Sequence, residues 1–358
     1  MDKYQIIEIH NNENTAGSKA PNDVINIAEH IGFKNITIKI KSSKVLKSKN
    51  LVSKINRQKQ YMCQWNNAYK KIPANSILLL QFPIYKREIG MYYSLRRLVK
   101  KKKVKIILVI HDLNFLRDTD RSSKVYKKDM QNFKKFSSVS NKIIVHNQAM
   151  LDYLYQLGIS RSKMINLKIF DYLRKDKNKK LPEFDKSAII AGNLNLKKSE
   201  YLKYISNIDF DFYLYGPNFT LKRSNNIHYG GVLKPSEIPN VLTHGFGLIW
   251  DGNSIDTCDG SYGKYLKYIN PHKLSLYLAS NLPVIVWNKA AEAEFIKKNN
   301  IGIGINSLKE LPTVLSKIDS THYEVMANNA RKIAHDLIRG RYMERALEEA
   351  IMRIKNGK

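Results

Sequence analysis

Cysteine is almost missing from this chain: Cys63 and Cys258 are the two among 358 residues. No CxxC and no Cys/His cluster accompanies them, which excludes a disulfide framework and a structural zinc site. Long apolar runs are missing too. No stretch approaches the roughly 18 consecutive apolar residues of a membrane-spanning helix, and the start, "MDKYQIIEIHNN", holds only a short apolar run where a secretory signal needs a longer one. The expectation is an unsecreted, cytoplasmic protein. Acidic side chains are scarce, 31 Asp+Glu against 61 Lys+Arg, for a formal charge of +30. Such an excess points to an anionic partner, whether nucleotide, nucleic acid or acidic lipid surface, although lysine spread along the whole chain is also what a Lys- and Asn-rich genome produces. Neither GxxxxGK[ST] nor GxGxxG occurs, so the ordinary P-loop and dinucleotide fingerprints are excluded.

What is present is a globular composition, 43% hydrophobic and 10% aromatic, in a chain long enough for two domains. Short apolar runs, "YQIIEIH", "ITIKI", "SILLLQF", "VKIILVIHD" and "KIIVHN", read as strands. Between them "PNDVINIAEHIGF", "GMYYSLRRLVKK" and "QAMLDYLYQLGI" carry apolar residues three and four apart. After the polar, basic bridge "FDYLRKDKNKKLPEFDK" the alternation restarts. Strands are expected at "SAIIAGN", "DFDFYLYG", "NIHYGG", "FGLIWDG", "LPVIVW" and "GIGIN", and helices at "KKSEYLKYI", "KPSEIPNVL", "PHKLSLYLAS" and "KAAEAEFIKKN". This is an α/β pattern of two doubly wound parallel sheets. The expected organisation is a Rossmann-like domain over 1–172, a second over 173–335, and a C-terminal helical tail over 336–358 that packs back on the first. From about His322 the tail reads as helical, broken around "IRGRY".

Ligands of open parallel sheets sit beyond the carboxyl ends of strands, which directs attention to the residues there. In "NPHKLSLYLASNLPVIVW" (Asn270 to Trp287), Asn270 reads as an N-cap and Pro271 as the first helical residue. His272 and Lys273 then fall in the first turn, where the helix dipole disfavours cations unless an anion sits at that end. The loop after the first strand, with Thr15, Ala16, Gly17 and Ser18, has small residues that let a phosphate or sugar approach the backbone. "VIHDLNF" sets His111 and Asp112 directly after a buried strand, where imidazole can bond a sugar hydroxyl or act as a base. "AGNLNLKK" supplies Gly192, Asn193, Lys197 and Lys198, and "YLYGPN" supplies Tyr215 and Gly216. The long polar loop from Trp250 to the helix at Asn270 carries Asp251, Asp256 and Asp259, whose spacing fits no calcium loop. Asp118/Asp120 and Asp209/Asp211 form DxD pairs, the second read as sharing one side of a strand. "YKREIGMYYSLRRLVKKKKVK" suits an anionic membrane surface, or equally a sheet-packed helix whose C-terminal cations suit its dipole.

The order "HD", "AGNL", "LYG" and "NPHK" before "LASNLPVIVW" resembles GT-B fold glycosyltransferases, two Rossmann-like domains facing a cleft. "GLIWDGNSIDTC…YLKYINPHKLSLYLASNLPVIVW" is similar to bacterial β-1,6-galactofuranosyltransferases of surface polysaccharide synthesis and, more distantly, to glucosyltransferases that extend N-acetylglucosamine on serine-rich adhesins. The resemblance covers most of the chain and is most specific over Phe246 to Trp287. It implies a UDP-sugar donor, a glycan acceptor hydroxyl that is lipid-linked or on a protein, no metal and no other cofactor. By position it implies Asn270, His272, Lys273 and Ser275 at the diphosphate, Tyr215 and Gly216 at the nucleoside, and Asn193 and Lys197 as further nucleotide contacts. Thr15, Ala16 and Gly17 fall in the first-domain loop over the diphosphate, and His111 with Asp112 falls near the donor sugar as base candidates. No E-x7-E pattern occurs, so the resemblance fixes neither inversion nor retention. Peripheral membrane contact and a homo-oligomer fit the same expectation. A basic nucleic-acid-binding protein is the rival reading; no zinc finger or RNA-recognition sequence supports it, and nucleic acid is not the expected partner.

Overall fold

The computed structural model describes residues 1–10, 16–40, 51–84, 89–118, 120–176, 179–222 and 224–357. The chain forms two compact units, Met1–Val145 with Leu154–Leu167 and Met343–Lys358, and His146–Tyr153 with Lys168–Tyr342.

The first unit alternates β1 (Lys3–His10), α1 (Ala16–His30), β2 (Lys34–Ile40), α2 (Leu51–Lys71), β3 (Ile77–Phe82), α3 (Ile89–Lys102), β4 (Lys105–Ile110), α4 (Lys124–Val139) and β5 (Lys142–Val145). After α5 (Gln148–Gln156), β6 (Met164–Asn166) completes a sheet of order β2-β1-β3-β4-β5-β6, parallel throughout. Ile77 to Leu80 and Ile106 to Ile110 are buried without alternation, as strands covered on both faces require. Helix α2 escapes the sequence patterns above because its buried residues, Tyr61, Trp65 and Ala68, are set among Lys, Gln and Asn. Two expectations change here. Thr15 lies outside the described residues, and Ala16 and Gly17 open α1 instead of standing in a loop.

The second unit holds β7 (Glu183–Ala191), β8 (Asp211–Tyr215), β9 (Ile227–Tyr229), α6 (Ile238–Val241), β10 (His244–Ile249), α7 (Gly260–Tyr265), α8 (His272–Ala279), β11 (Val284–Trp287), α9 (Ala293–Lys298), β12 (Gly302–Ile305), α10 (Leu311–Ser316) and α11 (Ser320–Leu337). Its parallel sheet runs β12-β11-β10-β7-β8-β9. The first strand in sequence, β7, therefore lies between β8 and β10, and the chain changes direction between β7 and β10. That is the switch point beyond which ligands of doubly wound sheets bind. "KKSEYLKYI" forms two short 3-10 turns, Glu200–Lys203 and Ile205–Asn207, and not an α-helix. Asp209 precedes β8 instead of sharing a strand with Asp211. The bridge expected at Asp171 begins buried: Phe170, Asp171 and Tyr172 are 4%, 3% and 4% exposed.

Helix α12 (Arg341–Lys355) ends the chain. From Met343 it belongs to the first unit, where Arg353 Nη1 donates to the Met164 carbonyl of β6 at 3.3 Å. No helix among the described residues is long and apolar enough to cross a membrane.

Candidate functional site

Three neighbouring strands of the second unit end in backbone that excludes side chains. β7 exits through Gly192 at φ +145° and β8 through Gly216 at φ +142°. A Cβ on Gly216 would stand 1.7 Å from the Gly192 carbonyl oxygen, so the two exits touch backbone to backbone. The Gly192 N–H donates to Tyr215 O at 2.9 Å, and the Gly216 N–H donates to Gly231 O at 2.9 Å. The half-buried Tyr215 ring lies on Gly230, where a Cβ would come within 2.2 Å of it. Burial, with Tyr213 adding to it, raises the Tyr215 phenol above its ordinary pKa, which keeps it a hydrogen-bond donor. Asn193 joins this group: its Oδ1 accepts from Asn218 Nδ2 at 2.8 Å, tying the two strand exits together.

Past the end of β10, Lys273 Nζ donates to Trp250 O at 3.0 Å and to Asp251 Oδ1 at 3.3 Å. Its side chain is 17% exposed and that of Asp251 9%. Burial lowers the Lys273 pKa, Asp251 opposes that shift, and the Lys198 charge adds to it. Lys198, not Lys197, is thus the lysine of "NLKK" electrostatically coupled to this point. Lys197 is exposed, with its N–H on Asn195 Oδ1 at 2.9 Å. The sequence offers no ground for choosing between adjacent lysines. It also did not reveal that Asp251 would supply a counter-charge to a cation in the first turn of α8.

The helix start differs from the expectation. α8 begins at His272, with Pro271 as its N-cap residue and no side-chain cap. Asn270 is buried and faces elsewhere. Its N–H donates to His146 Nδ1 at 3.0 Å, its Nδ2 to the carbonyls of His146 (2.6 Å) and Lys168 (2.9 Å), and its Oδ1 accepts from Asn147 Nδ2 at 2.5 Å. Three side-chain bonds, to His146, Lys168 and Asn147, outcompete a cap that would satisfy one helix N–H. Because a backbone N–H only donates, His146 Nδ1 holds a lone pair. Asn147 Nδ2 also reaches Glu292 Oε1 at 3.4 Å; Glu292 is 1% exposed, and burial raises its pKa to about 8 despite the Asn147 bond. The His272 ring packs on Tyr172 with centroids 5.3 Å apart. Ser275, 1% exposed, has a buried Oγ with no hydrogen bond among the described residues.

The loop between β10 and α7 is a rigid construction. Asp259 Oδ1 accepts the N–H groups of Asn253 (2.7 Å) and Ser254 (3.2 Å), and Trp250 Nε1 donates to Ser254 O at 3.0 Å. Its three aspartates are each engaged by the protein: Asp251 by Lys273, Asp256 by Lys309 at 2.8 Å, and Asp259 by the loop backbone. No group of three His, Cys, Asp or Glu side chains among the described residues is arranged to hold a metal ion.

In the first unit, His111 follows β4 and its Nε2 lies 2.6 Å from Gln81 Oε1 of β3. A carbonyl oxygen only accepts, so Nε2 carries the proton and Nδ1 is the basic nitrogen of the neutral ring. Asp112 is paired with Arg117 at 2.6 Å.

The glucosyltransferase 3-like N-terminal and C-terminal domain models match residues 3–169 and 188–350. The β-1,6-galactofuranosyltransferase WbbI of Escherichia coli (strain K12) is 31% identical, over 98% of this chain and 99% of its own length. Glucosyltransferase 3 of Streptococcus gordonii is 22% identical over 94% of each chain. Among solved structures, a sucrose-phosphate synthase from Thermosynechococcus elongatus superposes with a TM-score of 0.62 at 10% identity, covering 99% of this chain and 100% of that one, which shows the GT-B fold. Parallel sheets, glycine-walled strand exits and full-length similarity agree: the chain belongs to the glucosyltransferase 3-like family and is a glycosyltransferase of glycan synthesis.

Proposed function

We propose that the donor is a UDP-hexose, with galactofuranose first and glucose or galactose second, and that the acceptor is a hydroxyl of a cell-surface glycan. The observation that carries this reading is the pairing of Lys273 with Asp251 at the end of β10, in the same helix turn region as the unsatisfied Ser275 hydroxyl. A buried ammonium coupled to a second lysine is a receptor for negative charge. As the anomeric carbon–oxygen bond breaks, the UDP leaving group gains charge, and Lys273, Lys198 and the N–H groups at the start of α8 stabilise it. A cation fixed before the reaction needs no reorganisation as charge develops. Asp251 holds the ammonium in place while its own charge limits ground-state anion binding. Tyr215, Gly216 and Asn193 receive the nucleoside: the glycines admit a planar group against the backbone, and the phenol donates a hydrogen bond. In an inverting transfer His111 Nδ1 is the base that takes the acceptor hydroxyl proton, with Gln81 holding the ring through Nε2.

A thermal-shift panel of UDP, GDP, UDP-glucose, UDP-galactopyranose and UDP-galactofuranose tests the reading, since a ligand of the native state raises Tm. UDP and one UDP-hexose are expected to shift it and GDP not; no shift with any UDP compound would sink the proposal.

Contact with an anionic membrane surface is a second element of the reading. Tyr93 is 60% exposed on α3, on the same helical face as the exposed Arg96 and Lys100, and Val52, Ile55 and Met62 of α2 are 62%, 47% and 45% exposed. Apolar tips among cations are what a headgroup layer binds. Cosedimentation with vesicles containing phosphatidylglycerol, but not with pure phosphatidylcholine vesicles, is the expected result.

A further inference from the structure

A second concavity opens on the second unit, on the far side of the loop that follows β10 from Tyr215 and Gly216. Its volume is about 620 Å³, and Tyr204, Asn207, Asp209, Asn253, Asp256 and Lys309 supply its polar and aromatic wall. Asp209 stands before the first residue of β8, whereas Tyr215 and Gly216 stand at the other end of that strand, roughly 13 Å away at ~3.3 Å per residue. This opening is therefore distinct from the nucleoside end of the site proposed above, and the test below uses saturating UDP to separate it from the diphosphate end as well.

Its chemistry is selective. Tyr204 is 43% exposed, which leaves its ring open to a ligand in the hollow. The Tyr204 hydroxyl and the side chains of Asn207, Asp209 and Asn253 form no hydrogen bond or ion pair among the described residues, so donors and acceptors of both kinds stand ready in one hollow. Ile208, Ile255 and Pro312 provide apolar surface beside them. Two carboxylates face one ammonium here, within a chain of formal charge +30. Phosphates and nucleic acid are disfavoured by that local sign. A neutral molecule that offers a C–H face to an aromatic ring and hydroxyls to amides and carboxylates matches it, and that molecule is a saccharide. The wall is also preorganised. Asp259 fixes the Asn253 backbone, and Ile255 O accepts from the Leu308 N–H at 2.7 Å and from Ser307 Oγ at 3.0 Å.

We infer that this hollow is a second carbohydrate site, which holds neutral sugar units of the acceptor glycan remote from the hydroxyl that reacts. The inference rests on the glycosyltransferase reading. Holding the glycan there raises the effective concentration of its reactive end at the enzyme.

The test uses the full chain saturated with UDP, which keeps the donor site filled. Saturation-transfer NMR is recorded with the methyl β-glycosides of galactose, glucose and N-acetylglucosamine, with lactose and cellobiose, and with inorganic phosphate in a parallel titration. At least one saccharide is expected to bind in the presence of UDP. Tyr204→Ala should weaken it tenfold or more and Asn207→Ala to a lesser degree, with Tm unchanged and UDP-hexose hydrolysis within about twofold of the parent. Four outcomes would overturn the inference: no saccharide binding, binding displaced by UDP, binding indifferent to Tyr204→Ala, or phosphate bound in preference through Lys309. Each leaves the UDP thermal shift untouched, so loss of this site and loss of the donor proposal are told apart.

Discussion

Asp112 and Asp251 each follow a central strand of one unit and each meets a cation, but the two pairs are built differently. Asp112 meets Arg117, five residues on, at 2.6 Å, with 24% and 33% of the two side chains exposed. Asp251 meets Lys273, which arrives on α8 after a long loop, at 3.3 Å, with 9% and 17% exposed. The first pair is shorter and the second drier. Exposed pairs contribute about 0–1 kcal/mol, whereas a buried pair costs desolvation that its mutual attraction only partly offsets. A fold has little to gain from the second arrangement on stability grounds. It is retained where an immobilised charge serves chemistry, and this contrast is the physical reason to place the leaving group at Lys273 and to leave Asp112 a local role.

The largest expected effect follows from Lys273. Lys273→Met should lower kcat/KM at least 100-fold, equivalent to ~2.7 kcal/mol of transition-state stabilisation. It should also lower stability by roughly 3 kcal/mol, because Asp251 is left buried without its partner. The double variant Lys273→Met/Asp251→Asn separates the two effects: stability should return toward the parent in a denaturant titration while turnover stays low. Recovery of activity in the double variant would mean that the pair is structural. Next comes His111→Ala, expected to reduce turnover about 100-fold, the lower range for loss of a general base, with UDP binding unchanged by thermal shift. Unchanged turnover would remove His111 from the proposed chemistry.

Glu292 is a third carboxylate and extends the comparison, since it is buried with an amide instead of a cation. Its folded pKa is raised from 4.5 to about 8. The folded state therefore binds a proton more tightly than the unfolded chain. The stability that this gives is fully present below about pH 4.5 and is lost as pH rises through 8. Glu292→Gln, which mimics the neutral acid, should gain on the order of 2 kcal/mol over the parent at pH 6 and roughly twice that at pH 9. Equal effects of the substitution at both pH values, measured by urea unfolding, would show that folded Glu292 is already ionised at pH 6 and that its pKa is not raised.

Much of the architecture was legible because buried parallel strands are near-continuous runs of Ile, Leu and Val, and "SILLLQF" or "VKIILVIHD" can hardly be anything else. Helix α2 was not, because its buried Tyr61, Trp65 and Ala68 are diluted by polar neighbours. Asn270 shows a different limit. Its type and its place before Pro271 fit an N-cap, but a side chain forms the bonds available in three dimensions, and His146, Asn147 and Lys168 lie more than 100 residues away in sequence. The strand ends that border the candidate site were legible, through "AGN", "LYG" and "WDG". Which side chains meet there was not. Lys198 in place of Lys197, and Asp251 as the counter-charge of Lys273, depend on the path of the chain between strands, and local pattern carries no information about that path.

Asp112→Asn is expected to have the smallest effect. With 33% of the Arg117 side chain and 24% of Asp112 accessible, water replaces the lost ion pair at little cost. Stability should fall by no more than about 1 kcal/mol, and less at 0.5 M salt, where an exposed pair is screened over roughly 4 Å. Turnover should stay within tenfold of the parent, because the proton is assigned to His111 Nδ1. A loss in Asp112→Asn as large as that in His111→Ala, with Tm preserved, would reverse the assignment: the accessible carboxylate would be the base, and Gln81 would hold His111 only as an acceptor for a sugar hydroxyl.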